Sequence, residues 1–216
     1  MKPINIYLCR HGFSTGNGKK VIGQATDTSL TDLGREQAAK LGAHFIKTGV
    51  SFDRIFASSY ERASQTARII GDAVGHKEPI HCAIELVEYN CGDWRNKPFV
   101  EIFGDAGLVS QVLGAGMKFR FPNGESLAEV ERRASAYIEK AIVHNAEVLK
   151  KAETVEQNFL VVSHGHTIRT ILHYVMGFND GMMWDLDIWN CCINHLIYRY
   201  VGWKVRCLNE TGHLEP

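Results

Sequence analysis

Five side chains in this sequence have the chemistry of an oxyanion site. Arg10 and His11 stand side by side in Ile4-Asn5-Ile6-Tyr7-Leu8-Cys9-Arg10-His11-Gly12. The planar fork of an arginine matches a phosphate or a carboxylate. A histidine beside it can serve as nucleophile, base or metal ligand, and Gly12 lets the backbone approach a ligand closely. Arg62, Glu88 and His164-Gly165 lie further along. Two arginines, two histidines and one carboxyl in one place would make an oxyanion pocket with an acid/base attached. Each residue also has a plainer reading: Arg10 and His11 as surface polar groups at a strand end, Arg62 as a solvated helix residue, Glu88 as a loop charge, His164 as a helix cap. The elements that carry them decide between the two.

Ile4, Ile6 and Leu8 alternate with Asn5, Tyr7 and Cys9, the pattern of a strand, and Ser14 to Gly18 read as a loop. Thr31 caps a helix that Gly49 stops, with Leu33, Gln37, Leu41 and Phe45 repeating along it. Residues 53–57 form a short strand, and Ser58-Ser59 cap a helix from Tyr60 to Val74. A third strand lies near 80–83, followed by an irregular stretch through Glu88 to Trp94. One or two short helices fit between Asn96 and Phe119. Pro122-Asn123-Gly124 is a turn, and Glu125-Ser126 opens a long helix to about Lys151. Phe159–Val162 is the continuous apolar run of a central parallel strand, ending at Ser163-His164-Gly165-His166. A helix follows from Thr167 to Met176, and Asn190–Tyr200 and Trp203–Leu208 read as two last strands. Strands alternating with helices imply an α/β fold with a mostly parallel sheet. In such sheets ligands bind outside the carboxyl ends of the strands, where Arg10, His11 and His164 all fall.

The chain has 216 residues, enough for one sizeable domain over 1–216, and 24 Lys plus Arg balance 24 Asp plus Glu. That balance argues against a nucleic-acid or anionic-membrane partner, so any anion site is a local cluster of cations. No run of 18 or more apolar residues spans a membrane, and no apolar signal region precedes the first strand. The six cysteines are scattered without a Cys-x-x-Cys pair. Reduced thiols and a cytoplasmic location are expected, and a homodimer is left open.

Taken in order, these segments resemble the histidine phosphatase superfamily, also called phosphoglycerate mutase-like. The resemblance lies in Arg10-His11-Gly12 with Ser14 and Asn17; in Leu30-Thr31-x-x-Gly34-x-x-Gln37-Ala38; and in Ser58-Ser59-x-x-Arg62-Ala63-x-Gln65-Thr66-Ala67. It continues in Leu86-x-Glu88-x-x-x-Gly92-x-Trp94, in Pro122-x-Gly124-Glu125-Ser126 followed by Arg132 or Arg133, and in Val162-Ser163-His164-Gly165 with Ile168-Arg169. It implies a three-layer α/β/α sandwich and phosphoryl transfer through a phosphohistidine, with no metal or other cofactor. His11 is then the nucleophile, Arg10, Arg62 and His164 clamp the phosphoryl oxygens, and Glu88 is the proton donor. Gly12, Ser14, Asn17 and Gly165 join the substrate site. The expected partner is a small phosphorylated metabolite, and the expected outcome is hydrolysis, with mutase-type transfer or a non-catalytic phospho-ligand module as alternatives. Phe13 after Gly12, and Arg95-Asn96 after Trp94, depart from the family pattern and bear on substrate class.

Other motifs fare less well. His164-x-His166 lacks the further ligands of a metallohydrolase. Gly16-Asn17-Gly18-Lys19-Lys20 is mis-spaced for a phosphate-binding loop. Lys19, Lys20, Arg95, Lys97, Lys118 and Arg120, with Trp94, Phe119 and Phe121 as stacking faces, are candidates for holding the rest of a substrate.

Overall fold

The structure is a computed structural model that describes residues 1–17, 21–23 and 28–215. Gly18, Lys19 and Lys20, named above as loop and cation candidates, lie outside the described residues. Six strands form one sheet in the order β3-β2-β4-β1-β5-β6. They are β1 (Ile4–Arg10), β2 (Arg54–Ser58), β3 (His81–Ala83), β4 (Gln157–Ser163), β5 (Ile193–Arg199) and β6 (Gly202–Glu210). The first four are parallel, whereas β5 runs antiparallel to both β1 and β6.

β1 and β4 occupy the centre, and both faces of each are covered. Ile4, Ile6 and Leu8 pack with Phe159 and Val161 under the helices α5 (Leu127–Ile138) and α7 (Gly165–Met176). Cys9, Leu160 and Val162 pack on the other face under α1 (Asp32–Lys47) and α2 (Glu61–Ala73). Helices on both faces of a mostly parallel sheet make the three-layer α/β/α sandwich.

Short elements differ from the sequence reading. The expected helix from Ser126 to about Lys151 is two helices. Ser126 and Glu129 close a capping box at the start of α5, which loosens into a wider turn at Glu139–Val143. Asn145 then caps α6 (Ala146–Ala152), accepting from the amides of Glu147 and Val148, so the chain turns before completing its approach to β4. Of the four residues that repeat along α1, Leu41 and Phe45 are buried, whereas Leu33 is exposed. Ala38 shares the core with Leu41 and Phe45, and Gly34 packs on the Phe13 backbone. The strand expected from Asn190 begins at Ile193, because Cys191 takes a positive φ of 54° and gives its amide to the Arg10 carbonyl. Between Asn96 and Phe119 the two short helices are present as α3 (Phe99–Phe103) and α4 (Ala106–Ala115). A further short helix, α8 (Met182–Asp185), precedes the turn.

Candidate active site

The register of the central strands brings the two histidines together. Arg10 on β1 is paired with Ser163 on β4, and the amide of His11 donates to the Ser163 carbonyl at 3.0 Å. The next residues, His11 and His164, therefore emerge side by side with ring centroids 5.1 Å apart. β2 lies on the other side of β4, so Ser58 at its end reaches His164 Nε2 at 2.7 Å. Ser58 was expected to cap α2. Its Oγ instead accepts from the Tyr60 amide and engages His164, and Tyr60 begins the helix without a side-chain cap.

His11 is buried, with its tautomer set by its neighbours. Nδ1 lies 2.7 Å from the Gly12 carbonyl oxygen, which only accepts, so Nδ1 carries the proton. Arg62 Nε donates to Nε2 at 3.1 Å. Burial, together with His164, Arg10 and Arg62, holds the imidazole well below the ordinary histidine range. The resting ring is neutral, with its lone pair on Nε2. Burial, with the Arg62 charge next, pushes His164 down in the same way.

A tight scaffold holds His11 in place. The Gly12 amide donates to Thr66 Oγ1 at 3.0 Å, and the Phe13 amide to Gln37 Oε1 at 2.8 Å. Asn190 donates to the His11 carbonyl at 2.8 Å. A Cβ on Gly12 would sit 2.4 Å from the Gly34 carbonyl oxygen, so the close approach Gly12 permits is to the start of α1. Ser14 is buried and donates from both its amide and its hydroxyl to Asn17 Oδ1, which leaves the Asn17 amide group as a donor.

Glu88 reaches the site from the segment after β3. Its carboxylate accepts from the amides of His166 and Thr167 at the start of α7, from Thr167 Oγ1 and from the Tyr89 amide. Burial opposes the charge, but hydrogen bonding and charge from His166 outweigh it and hold the carboxyl well below its usual range. Two motifs are braced against each other here. Gly92, at φ 52°, packs so closely on the Pro122 carbonyl that a Cβ would lie 1.9 Å from it. Of Arg132 and Arg133, it is Arg133 that braces the acid segment. It pairs with Glu125 at 2.9 Å and donates to the carbonyls of Glu85 and Glu88. Glu85 lines a different groove.

Arg10, His11, Arg62, Glu88 and Gly165 line one pocket of about 270 Å³, with Val21, Ile22, Tyr89, Phe99, His166, Arg169 and Ile188 among the other walls. Gly12, Ser14, Asn17 and His164 are not among its walls. Arg10 Nη1 donates to the Ile188 carbonyl at 2.6 Å, while Arg10 Nε and His164 Nδ1 are buried without a partner among the described residues. The described candidates for holding a distal part of the substrate are elsewhere. Arg95 donates to Asn90, Lys97 pairs with Glu101, Arg120 pairs with Glu129, and Lys118 points to solvent. Trp94, Phe119 and Phe121 do not line the pocket but pack on one another in an apolar cluster that adjoins it through Ile22 and Tyr89. Arg169 and Ile188 went unread as pocket residues. Arg169 follows His166 by three residues, one helical turn on α7, which was a usable signal, whereas nothing local marks Ile188 or Asn190.

A neutral histidine thus stands beside two guanidiniums at the carboxyl ends of adjacent parallel strands, an arrangement that could hold an oxyanion. A family model of the histidine phosphatase superfamily (branch 1) matches residues 6–211, and the chain belongs to that superfamily. It is similar to a probable phosphoglycerate mutase, GpmB, of Yersinia enterocolitica, 27% identical over 98% of this chain and 95% of that protein. Among solved structures it resembles the phosphoserine phosphatase of Entamoeba histolytica in complex with 3-phosphoglyceric acid, at a TM-score of 0.80 and 25% identity over 98% of this chain and 100% of that one. It also resembles the alpha-ribazole phosphatase of Shigella flexneri, at a TM-score of 0.75 and 25% identity over 96% and 97% of the two chains.

Proposed function

We propose that residues 1–216 act as one domain that hydrolyses a small phosphomonoester through a phosphohistidine on His11. The observation that carries this is the neutral ring with its Nε2 lone pair held against Arg62. Nε2 attacks phosphorus, an N–P bond forms, and the ester P–O bond breaks. The departing alkoxide takes the proton of Glu88. Water then attacks phosphorus, its proton passes to Glu88, and the N–P bond breaks to free phosphate. Arg10 and Arg62 balance the charge on the transferring oxygens. The two buried atoms without partners, Arg10 Nε and His164 Nδ1, suit further phosphoryl oxygens.

Glu88 is ionised at rest, so its proton must come with substrate. A phosphate dianion placed beside a carboxylate raises the carboxyl pKa, and binding thereby draws a proton onto Glu88. The positive charge is supplied by Arg10 and Arg62, with the buried His164 ring beside them as a hydrogen-bonding partner, so the reading is of catalysis without a metal. The free thiols fit a cytoplasmic setting.

The experiment is p-nitrophenyl phosphate turnover by the purified protein in EDTA, with His11→Ala alongside. Turnover that persists in EDTA and disappears in folded His11→Ala is expected. Near-normal turnover in that variant would remove the assignment. Offering 3-phosphoglycerate with catalytic 2,3-bisphosphoglycerate separates the outcomes: phosphate release supports the phosphatase, and rapid 2-phosphoglycerate formation without it would establish a mutase.

A further inference from the structure

Glu88 is ionised at rest, so it must gain a proton when substrate binds and lose it when the site empties. Its two oxygens differ. Oε1 accepts from the Tyr89 amide, the Thr167 amide and Thr167 Oγ1, which leaves it no free lone pair. Oε2 accepts one amide among the described residues, that of His166 at 3.2 Å, so the proton belongs on Oε2. A bound ester fills the pocket that Glu88 lines and displaces the water there. The other described walls offer few sources for the proton. Arginines keep theirs in proteins. Burial pushes the Tyr89 phenol far above its usual range. His11 is committed to phosphorus. Among the described walls, His166 remains as a group that can both take and give a proton near neutral pH.

The two nitrogens of the His166 ring have different partners. Arg169 Nη1, always a donor, lies 3.4 Å from Nε2, so Nε2 keeps its lone pair and Nδ1 carries the proton. Nδ1 faces Glu88 Oε2 at 3.6 Å. That is longer than a hydrogen bond, and contacts of this kind tighten once substrate is bound. The rings of Tyr89 and Trp184 hold the imidazole edge-on from either segment, at 4.7 and 5.9 Å. Arg169 is anchored through Nε to the Leu186 carbonyl at 2.6 Å, so its long contact to Nε2 can yield while the guanidinium stays in place. A ring so placed can accept a proton at one nitrogen and release one at the other.

We propose that His166 is the proton relay of Glu88. On loading, a proton from water joins Nε2, the Nδ1 proton passes to Glu88 Oε2, and the ring changes tautomer. One proton enters and one leaves, so the imidazole is neutral before and after. When phosphate departs, the steps reverse: Oε2 returns its proton to Nδ1, Nε2 gives one to water, and the resting tautomer is restored. His166 acts through Glu88 and not on the reacting atoms. The relay rests on the reading of Glu88 as proton donor to the ester oxygen.

The test measures kcat on glycerol 3-phosphate, whose alkoxide needs a proton, and on p-nitrophenyl phosphate, whose phenolate hardly does, with and without added imidazole. His166→Ala is expected to lower kcat on glycerol 3-phosphate by about tenfold, part of the 100-fold or more that general acid catalysis supplies. The loss on p-nitrophenyl phosphate should be much smaller. Free imidazole should restore the glycerol 3-phosphate rate with saturation, and should do nothing when Glu88→Gln is added. His166→Asn, which stays polar but cannot change tautomer, should show the same selective, rescuable loss and serves should the Ala variant fail to fold. Unchanged kcat on glycerol 3-phosphate overturns the relay, as do equal losses on the two substrates and a loss that imidazole does not restore. Glu88→Gln alone judges the underlying reading. A selective loss there with none in the His166 variants keeps the donor and removes the relay. Equal losses there, or no turnover of either substrate by the unsubstituted protein, remove both.

Discussion

Two buried groups at the site hold unusual charge states for opposite reasons. His11 is neutral because burial and three cationic or potentially cationic neighbours disfavour a proton. Glu88 is anionic because the first amides of α7 and His166 favour its charge more than burial disfavours it. The nucleophile is thus already neutral at rest, with its lone pair hydrogen-bonded by Arg62 until that guanidinium turns to the substrate, whereas the acid must be loaded by the substrate. Glu88→Gln is therefore expected to slow hydrolysis of alkyl phosphates by about 100-fold or more, the usual scale of general acid catalysis. It should slow p-nitrophenyl phosphate far less, since p-nitrophenolate leaves with little help. Steady-state kcat/KM on a matched alkyl and nitrophenyl pair checks this, and equal losses on both would assign Glu88 another role. Residue types and spacing alone pointed to Arg10, His11, Arg62, Glu88 and His164, and the structure brings all five to one place. The charge states were not legible, because they depend on amides and rings that lie far away in the sequence.

At the scale of elements, the site depends on how closely α1 approaches the turn after β1. Thr31 caps α1, and its amide and hydroxyl both donate to the Phe13 carbonyl. Gln37, one turn further, accepts the Phe13 amide. A Cβ on Gly34 would lie 2.0 Å from the Phe13 carbonyl oxygen, a contact that no rotamer relieves. Gly34→Ala should therefore push α1 away from the loop that carries His11. Overpacking of this kind costs about 1–3 kcal/mol, which for a chain of this size lowers Tm by about 2–4 °C per kcal/mol. Activity should fall more steeply than stability, because the displaced backbone bears the nucleophile. Calorimetry and p-nitrophenyl phosphate kinetics on the same sample test this, and a variant with unchanged Tm and kcat would refute it. The Leu30-Thr31-x-x-Gly34 segment was readable as a capped helix start. That its glycine touches the catalytic loop was not.

For the molecule as a whole, buried neutral histidines tie folding to pH. His195 on β5 is paired with Tyr7 on β1, stacked on its ring at 4.3 Å and bonded through Nε2 to Asn5 Oδ1 at 2.9 Å. Burial, with Arg206 next, lowers its pKa to about 4. Between about pH 6.5 and pH 4 the unfolded chain takes a proton at this residue that the folded chain refuses. Stability therefore falls as pH falls through that window, by about 1.4 kcal/mol per unit and about 3 kcal/mol in all. His11 and His164 are depressed too and act with the same sign. Glu88, whose carboxyl is lowered, adds to the loss only below its unfolded value, about 4.3. Urea unfolding should show lower stability at pH 5 than at pH 7.5, and His195→Gln should flatten that dependence. Equal midpoints at the two pH values would contradict it.

Periodicity and turn chemistry in the sequence were enough to determine a mostly parallel α/β sheet, because strand alternation, apolar central runs and helix stops are local signals. They were also enough to put Arg10, His11 and His164 at strand ends, where α/β sheets bind ligands. Only tertiary structure decided what lies next to what. Ser58 serves His164 and not its own helix, Asn190 reaches the His11 carbonyl across 179 positions, and the helix expected to run to Lys151 breaks at Asn145, where its own cap starts another. It also decided which cation serves the pocket. Arg95, Lys97, Lys118 and Arg120 had the right charge, but the pocket is lined by Arg169, whose neighbours Leu186 and His166 fix its fork. Charge can be counted along a chain, whereas desolvation and hydrogen-bond geometry depend on which segments the sheet order places side by side.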